Sequence, residues 1–482
     1  MRIKNVLIGI AGLFVPFLLQ AQEKKDSVLR FSLAEAKIYA QANSPVVKNS
    51  VLDLESAKKK IWETTAIGLP QVNGKLTFGY ALQQSSLLGS INGLNQIGIF
   101  PRQQVIDEIR LDSLIRPSSY TNQSAGTIKQ LNHDIDSLRN IKSGDLRTSI
   151  GLDISVNQLI FSGAYFVGLQ TSKVFKSLSE LAITKSQNDL IESVTNAYFL
   201  VLIARENQQI LDSTYKNTSK IVNEILEQHR VGFVDETTAD QMKINLGNLK
   251  ATLDLITRQV DIATKLFKFQ IGIEIEKQVL LTDSITGIIS GVDFSALLNN
   301  SYAVESSVDF KLATTQEKLQ ELNLKYMKTN YLPTISAYYQ FHDQLNKDYP
   351  DFQAPQMVGI TASMPIFTSG QNMSRVAQAR IALEKQKNLS WQAKEGLKID
   401  YERTRSDYVL ALDKFDIQKQ NMELSKKIYY RSLIQFKEGM ISGIELTQYQ
   451  NQYLQTQSDY FSAISQLSSA KAKFEKLIAS TK

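Results

Sequence analysis

The chain has 482 residues, 43% of them hydrophobic, and a formal net charge of +6. This length allows a sizeable core and two or three domains, and removal of Arg2 and Lys4 lowers the charge from +6 to +4, too little to indicate a nucleic-acid partner. The absence of cysteine excludes disulfides, thiolate catalysis, cysteine metal sites and a lipid anchor on an N-terminal cysteine.

Residues 1–21 have the pattern of a secretory signal peptide. Arg2 and Lys4 form a charged start, residues 6–19 form an apolar run, and Ala21 is a small residue before an expected cleavage near Gln22. The apolar run is too short for a comfortable transmembrane helix, although an uncleaved anchor is the alternative. No later stretch reaches the length of a helical membrane span, so we expect none.

Residues 31–70 have a helical pattern that recurs, without a gap, in residues 294–333. The matched residues are Phe31 and Phe294, Ser32 and Ser295, Tyr39 and Tyr302, Ala40 and Ala303, Ser44 and Ser307, Lys48 and Lys311, Leu69 and Leu332, and Pro70 and Pro333. The interval along the chain between the two segments is far longer than the period of a solenoid repeat, so it indicates a duplication of one structural plan.

Four short segments alternate between apolar and polar residues, at about 71–82, 148–162, 333–343 and 356–369. In the second segment, for example, Leu152 and Ile154 alternate with Asp153 and Ser155. Strands of about ten residues with one apolar and one polar face are typical of a membrane β-barrel. The alternative is a soluble sheet packed on a helix.

The segment from about residue 83 to residue 147 is rich in Ser, Asn, Gln and Gly. This composition predicts a long loop at the mouth of the barrel, either disordered or folded into a cap, with a short helix near residues 104–116. The second inter-strand loop, about 345–355, is short and contains two prolines.

A proline-free stretch of about 100 residues, from Thr171 to Gln270, has apolar residues at spacings of three and four. Its one strong break surrounds Gly232, so it predicts a long helical hairpin, with helices at about 171–229 and 237–270. A second hairpin is expected at about 371–438 and 446–479, because Gly439 is the counterpart of Gly232 in the repeat, 207 residues further along the chain. The two copies of the plan are therefore residues 22–270 and 294–482, joined by a connector at 271–293.

No pattern in the sequence indicates catalysis. The histidines, His133, His229 and His342, are dispersed and have no partner at metal-ligand helical spacing. Phosphate-binding, dinucleotide-binding and nucleophile-elbow motifs are absent. We expect no enzyme, metal or cofactor.

The two hairpin turns, HRVGFVDETTADQ and FKEGMISGIELTQYQNQ, resemble the repeated turn motif of the TolC-type outer-membrane efflux factors. Leu69-Pro70 and Leu332-Pro333 resemble that family's entries from helix to strand, and LIFSGAYF and PIFTSGQN resemble its exits from strand to helix. The resemblance covers about residues 30–478, and the doubled order of these motifs is its most specific part.

The resemblance implies a predominantly helical homotrimer. Each chain would give four strands to a 12-stranded β-barrel in the cell outer membrane, and its hairpins would form a coiled-coil α-helical barrel in the periplasm. The connector at 271–293 would lie in the equatorial region of that tube. Three copies would also remove the open edges of a four-stranded sheet, which lipid does not tolerate.

The resemblance places a constriction at the hairpin tips. The candidate gate and tip residues are Gly232, Asp235, Glu236, Thr237, Thr238, Asp240, Gly439, Ile441, Ser442, Glu445 and Gln448. Glu445 matches an acidic position of the family, whereas Gln448 replaces the next acid, Ile441 replaces a basic residue, and Thr237-Thr238 replaces a Thr-Asp pair. Acids and threonines at these positions are equally typical of helix caps, and one residue can serve both roles.

The sequence thus predicts the exit duct of an efflux or type I secretion system. Its partners would be a periplasmic adaptor (membrane fusion) protein, an inner-membrane pump of RND or ABC type, outer-membrane lipid and two further copies of the chain, with no nucleic acid. The alternatives are a stand-alone passive outer-membrane channel and a periplasmic coiled-coil adaptor or structural protein. The long helices argue against the first, and the two hairpins with four lone strands argue against the second.

Overall fold

A computed structural model of the chain describes residues 28–80, 129, 148–290, 296–299, 302–345 and 354–479. They form two compact units. Unit 1 contains the described residues up to Ser56, Ser177–Glu317 and the described residues from Gln386 onward, and unit 2 contains Ala57–Lys176 and Lys318–Lys385. In the described residues no helix combines the length and the hydrophobicity needed to cross a membrane.

The order of elements recurs along the chain, with helices followed by two strands and two long helices. The first series is β1 (Leu29–Phe31), α1 (Leu33–Asn43), α2 (Pro45–Ala66), β2 (Gln71–Tyr80), β3 (Thr148–Ser162), α3 (Gly163–Arg230) and α4 (Glu236–Ile271). Between the series lie β4 (Val279–Leu281) and α5 (Ile285–Ser290). The second series is α6 (Val308–Lys328), β5 (Thr334–Gln344), β6 (Gln356–Ser363), α7 (Gln371–Lys437) and α8 (Gly443–Ala479), with short 3-10 turns before and after α6.

The single helix expected over residues 31–70 is wrong, because the chain bends at Ser44. Ser44 has extended backbone angles, and Pro45, which lacks an N–H, begins a new helix. Its counterpart Ser307 also has extended angles and precedes α6. Both serines are buried, and the chain bends at each of them, before α2 and before α6.

The four expected strands form one antiparallel sheet in unit 2, in the order β2-β3-β5-β6. Residues paired across neighbouring strands lie on the same face of the sheet. One face therefore collects apolar pairs, among them Leu76 with Leu152, Ile154 with Phe341, and Tyr339 with Val358. The other face collects polar pairs, among them Lys75 with Asp153 and Ser155 with Gln340.

A His–Asp pair lies on the polar face of the sheet. The Nδ1 atom of His342 on β5 lies 2.6 Å from Oδ1 of Asp153 on β3, and His342 is only 9% exposed. The two residues are 189 apart in the chain, so a search for helical spacing cannot find them. Among the described residues, no cluster of three or more His, Asp or Glu side chains is placed to hold a metal ion.

β3 has the expected bounds and contains an irregularity, whereas β6 ends earlier than expected. A β-bulge at Ile160 inserts one residue into β3, and β3 continues to Ser162, where α3 begins without a loop. β6 ends at Ser363, six residues before the expected end, because Pro365 cannot donate a ladder hydrogen bond. The first long helix likewise begins at Gly163, before the expected Thr171.

Unit 1 is built around a core of aromatic residues from the long helices. Tyr198 contacts Phe267 with ring centroids 5.6 Å apart, and Tyr408 stacks on Phe474 at the same separation. Phe267 and Phe474 lie 207 residues apart, at the offset of the two hairpin glycines, and both are fully buried. The core therefore contains one phenylalanine from the second helix of each hairpin.

The described part of the connector packs into this core. β4 pairs in parallel with β1, an interaction that the sequence patterns did not indicate. The Tyr198 hydroxyl donates to the Asp283 carboxylate at 2.9 Å, and the Leu33 N–H donates to the same oxygen at 2.8 Å. Burial, with Asp283 adding to it, raises the pKa of Tyr198 well above its ordinary value, so its proton is retained as a donor.

Three expectations lie outside the described residues. They are the signal peptide at 1–21, the loop at 83–147 apart from residue 129, and most of the loop at 345–355. They remain predictions.

Candidate functional site: the two hairpin turns

Both long hairpins reverse direction through the same hydrogen-bonded turn in unit 1. After α3, the Phe233 N–H donates to the Gln228 carbonyl at 2.9 Å and the Gly232 N–H to the His229 carbonyl at 3.0 Å. After α7, Met440 and Gly439 donate to Gln435 and Phe436 in the same pattern, at 2.9 and 3.0 Å. This is the Schellman motif, which requires a left-handed residue.

Gly232 and Gly439 supply that left-handed residue, with φ of +85° and +73°. A Cβ atom at either position would meet no neighbour within 4 Å. The need for glycine therefore comes from backbone strain and not from crowding.

Asp235 caps the first turn. Its carboxylate accepts from the Thr238 N–H at 2.9 Å and from the Thr238 hydroxyl at 2.7 Å, which satisfies donors at the start of α4. The hydrogen bonds from Thr238, first from its side chain and then from its backbone, lower the pKa of Asp235. The His229 ring nitrogen Nδ1 also lies 2.9 Å from the Val234 carbonyl oxygen and ties the turn to α3.

Ser442 and Glu445 cap the second turn together. The Glu445 carboxylate accepts from the Ser442 N–H at 2.8 Å, and the Glu445 N–H donates to the Ser442 hydroxyl at 3.2 Å. This reciprocal pair is a capping box. The same hydrogen bonds, first from the backbone of Ser442 and then from its side chain, lower the pKa of Glu445.

The other expected residues occupy different environments. Glu236, Thr237 and Gln448 are exposed, and Asp240 is paired with Lys243 at 2.9 Å. Ile441, at the position where the family resemblance places a basic residue, packs against the apolar cluster beneath the turns. An isoleucine there contributes packing and no charge.

The structure brings the two turns into contact at Gly443. This residue is buried at the start of α8, and a Cβ atom there would lie 3.1 Å from Thr238 Cγ2 and 3.6 Å from Met242 Sδ. Glycine thus lets the start of the second hairpin's return helix approach the first hairpin closely. Thr238, one of the residues predicted at the tips, therefore lies against the start of the helix that follows the second turn.

A buried polar network beneath the turns was not predicted. The Asn245 amide donates to the Gln450 side-chain oxygen at 2.7 Å, and the Gln450 amide donates to the Thr218 hydroxyl at 2.8 Å. Gln450 and Thr218 are each 2% exposed. The network therefore joins α3, α4 and α8 by hydrogen bonds that have no solvent to replace them.

One signal in the sequence could have identified this network. Leu446, Gln450, Tyr453 and Gln457 alternate at spacings of four, three and four, which places both glutamines on the apolar seam of α8. Gln457 is also buried, and its amide donates to Asn207 at 3.0 Å. Polar residues on such a seam typically fix the register of neighbouring helices.

Comparison with known proteins gives matches to solved structures. No protein-family model and no curated protein matches the chain. Its fold nevertheless matches the CmeC outer membrane channel of Campylobacter jejuni with a TM-score of 0.66 at 14% identity, over 93% of this chain and 86% of that chain. The chain has the fold of outer-membrane channels.

Two further solved structures support that statement. The outer membrane protein VceC of Vibrio cholerae matches with a TM-score of 0.62 at 11% identity, over 92% of this chain and 95% of that one. The open state of the MtrE outer membrane channel of Neisseria gonorrhoeae matches with a TM-score of 0.62 at 14% identity, over 93% and 89%. The resemblance to TolC-type outer-membrane efflux factors is thus confirmed at the level of the fold.

Proposed function

We propose that the protein is the outer-membrane exit duct of a tripartite efflux or type I secretion system. It acts as a homotrimer, with a 12-stranded β-barrel in the outer membrane and paired helical hairpins in the periplasm. The observation that carries this proposal is the open four-stranded sheet with one exposed apolar face.

The apolar face of that sheet has no cover within the described part of the chain. Val358 is 80% exposed, Ile360 72%, Phe78 70% and Leu76 68%. In water this face would be a strong aggregation hazard, whereas in lipid it is the required outer surface. Among the described strands, β2 and β6 are unpaired along their outer edges. Lipid does not tolerate open sheet edges, and three copies that pair edge to edge would close the sheet into a barrel.

Two exposed apolar stripes on the long helices support the trimer. On α4, Leu255, Ile262 and Phe269 recur every seven residues and are 56%, 65% and 68% exposed. On α7, Leu410, Ile417 and Leu424 recur at the same interval and are 53%, 56% and 59% exposed. A heptad stripe is the pattern of a helix that packs against another helix, so we assign these stripes to the contacts between subunits.

Exposed apolar side chains at the hairpin turns support a docking partner. Phe233 is 85% exposed and Met440 is 66% exposed, beside the glycines of the two turns. A stand-alone channel has no need of such residues, whereas a periplasmic adaptor would cover them. The adaptor would connect the duct to an inner-membrane pump of RND or ABC type, which supplies the energy.

The tip acids serve in this proposal both as caps and as part of the gate. Asp235 and Glu445 each cap a helix and remain fully exposed. With two turns in each of three chains, these carboxylates would give the periplasmic opening a negative potential that favours cations. The caps hold the carboxylates at fixed positions, because each is hydrogen-bonded to its own turn.

The first experiment tests the barrel by disulfide cross-linking. Since the chain has no cysteine, a cysteine at Leu76 or Phe78 of β2 can be paired with one at Val358 or Ile360 of β6. Oxidation should link chains into trimers in the outer-membrane fraction, because the two edges of neighbouring copies would lie within disulfide distance. Cysteines at Leu152 and Val358, on strands separated by β5, are the matched control and should not link. A soluble monomer without cross-links would contradict the proposal.

The second experiment tests the partners by photo-crosslinking. A photoreactive amino acid at Phe233 should capture a periplasmic adaptor, whereas the same amino acid at Ile262 should capture a second copy of the chain. Capture of only the chain itself from both positions would favour the stand-alone channel.

A further inference from the structure

The helical segments of unit 2, which adjoin the sheet, carry a strong excess of basic residues. Their acidic residues are Glu63, Glu321 and Glu384. Their basic residues are Lys58, Lys59, Lys60, Lys173, Lys176, Lys318, Lys325, Lys328, Arg375, Arg380 and Lys385. Such a surplus beside a membrane-facing sheet attracts anionic lipid headgroups.

Exposed apolar residues separate the sheet from this basic region. Tyr331 is 49% exposed at the entry to β5, and Ile366 and Phe367 are 92% and 85% exposed after β6. In the first turn of α3, directly after β3, Phe166 is 50% exposed and contacts Phe161. Along the chain the order is thus apolar strand, aromatic junction and basic helix, which matches hydrocarbon, interface and headgroup layers.

A groove between α6 and α7 lies at the level of the basic residues. It has a volume of about 410 Å³ and is lined by Asn323, Tyr326, Asn330, Arg375 and Gln378, with Met327, Ala379 and Ala382 at its base. Arg375 is its one lining cation among the described residues, and it lies four residues after the start of α7, about 6 Å along the helix.

The chemistry of this lining suits a phosphodiester. A guanidinium gives two parallel donors to a phosphate, and the amides of Asn323, Asn330 and Gln378 can donate to the remaining oxygens or to glycerol hydroxyls. The described residues that line the groove include no carboxylate that would repel the anion. We propose that it binds the headgroup of an anionic phospholipid from the adjacent leaflet, with Arg375 as the phosphate ligand. This inference rests on the proposed membrane location of the sheet.

The test uses the full mature chain as a trimer in phosphatidylcholine vesicles. Electron spin resonance of spin-labelled phosphatidylglycerol and phosphatidylcholine gives their relative association with the protein. We expect the wild type to prefer phosphatidylglycerol, and Arg375→Gln to reduce that preference by about fivefold, the effect of one basic residue near an anionic surface. Arg375→Lys should retain part of it, because the charge remains but the paired donors are lost.

Arg380→Gln is the matched control. It removes the same charge from the same helix, five residues further along, and Arg380 does not line the groove. Equal losses in both variants would overturn the site and leave only a diffuse basic surface. Displacement of the labelled lipid by inorganic phosphate at constant ionic strength would overturn the lipid assignment in favour of a soluble phosphate.

The experiment also separates this inference from the proposed function. Inserted heat-modifiable trimers without a preference for phosphatidylglycerol would overturn the lipid site and leave the duct intact. Failure of the folded chain to insert as trimers would overturn both.

Discussion

The two hairpin turns share one backbone conformation, but the helices after them are covered differently. Gly232 and Gly439 occupy the same position of the same hydrogen-bonded turn. In the next helices, however, Glu236 and Lys243 of α4 are exposed, whereas their counterparts at the same offset, Gly443 and Gln450 of α8, are buried. Local sequence therefore determines the turn, and neighbouring helices determine which face of the next helix is covered.

The largest effect should follow removal of the buried amide of α8. Gln450→Ala removes the hydrogen bonds that Gln450 makes with Asn245 and Thr218 in a buried site and leaves a cavity, so it should lower the free energy of local opening of the hairpins by about 2–4 kcal/mol. Amide hydrogen exchange of the folded protein measures that opening. Lys243→Ala, at the counterpart position on α4, should change it little. Equal effects at both positions would remove the asymmetry between the hairpins.

A smaller effect is expected where the turns touch. In Gly443→Val the new side chain must displace Thr238, which should cost about 1–3 kcal/mol of hairpin stability by overpacking. Glu236→Val, at the counterpart position, points into open space in the single chain and should be tolerated. The comparison is made by hydrogen exchange near residues 238–242, and a tolerated valine at 443 would show that the contact is loose.

The turn glycines should behave alike, in contrast to the helices after them. Gly232→Ala and Gly439→Ala should each cost about 1–2 kcal/mol, because alanine is strained at positive φ. Asparagine at either position should cost less, since it tolerates the left-handed region. The measurement is the exchange of the Phe233 and Met440 amides, and unequal alanine effects would mean that the two turns are not equivalent.

The caps should respond separately to acid. Both carboxylates have pKa values below the ordinary 3.8 of Asp and 4.5 of Glu, so the stability that they contribute is present above those values and is lost as the pH falls through the lowered pKa. Protection of the first turn should therefore fall below about pH 4 and lose that step in Asp235→Asn. Protection of the second turn should likewise fall in acid, and it should lose that step in Glu445→Gln. Loss of both steps in either variant would show that the turns are coupled.

The smallest effect on the structure is expected from a double substitution that tests ion selectivity. Replacing both acids, in Asp235→Asn with Glu445→Gln, should weaken the proposed cation preference of the reconstituted protein while leaving its assembly intact, because the amides keep the size of the side chains. The reversal potential under a salt gradient measures this preference. An unchanged reversal potential would leave both residues as helix caps without a role in the gate.

Sequence patterns predicted the parts of this molecule that depend on neighbours in the chain. The alternation of Leu152 with Asp153 indicated the faces of the sheet, and the isolated glycines indicated the turns. The contacts of Asp153 with His342 and of Asn245 with Gln450 join residues about 190 and 205 apart, so no local pattern contains them. The break at Ser44 was missed because helical periodicity continues across it, although Pro45 marks the new helix.

The two connections from strand to helix differ in length and in backbone conformation. β3 continues into α3 at Ser162–Gly163 with no intervening loop, and Gly163 fits so closely that a Cβ atom would lie 2.7 Å from Leu332 Cδ1. Between β6 and α7 lie the residues from Met364 to Gly370, which include two with positive φ. We therefore expect a rotation of α3 about its axis to be transmitted to β3 more directly than a rotation of α7 is transmitted to β6.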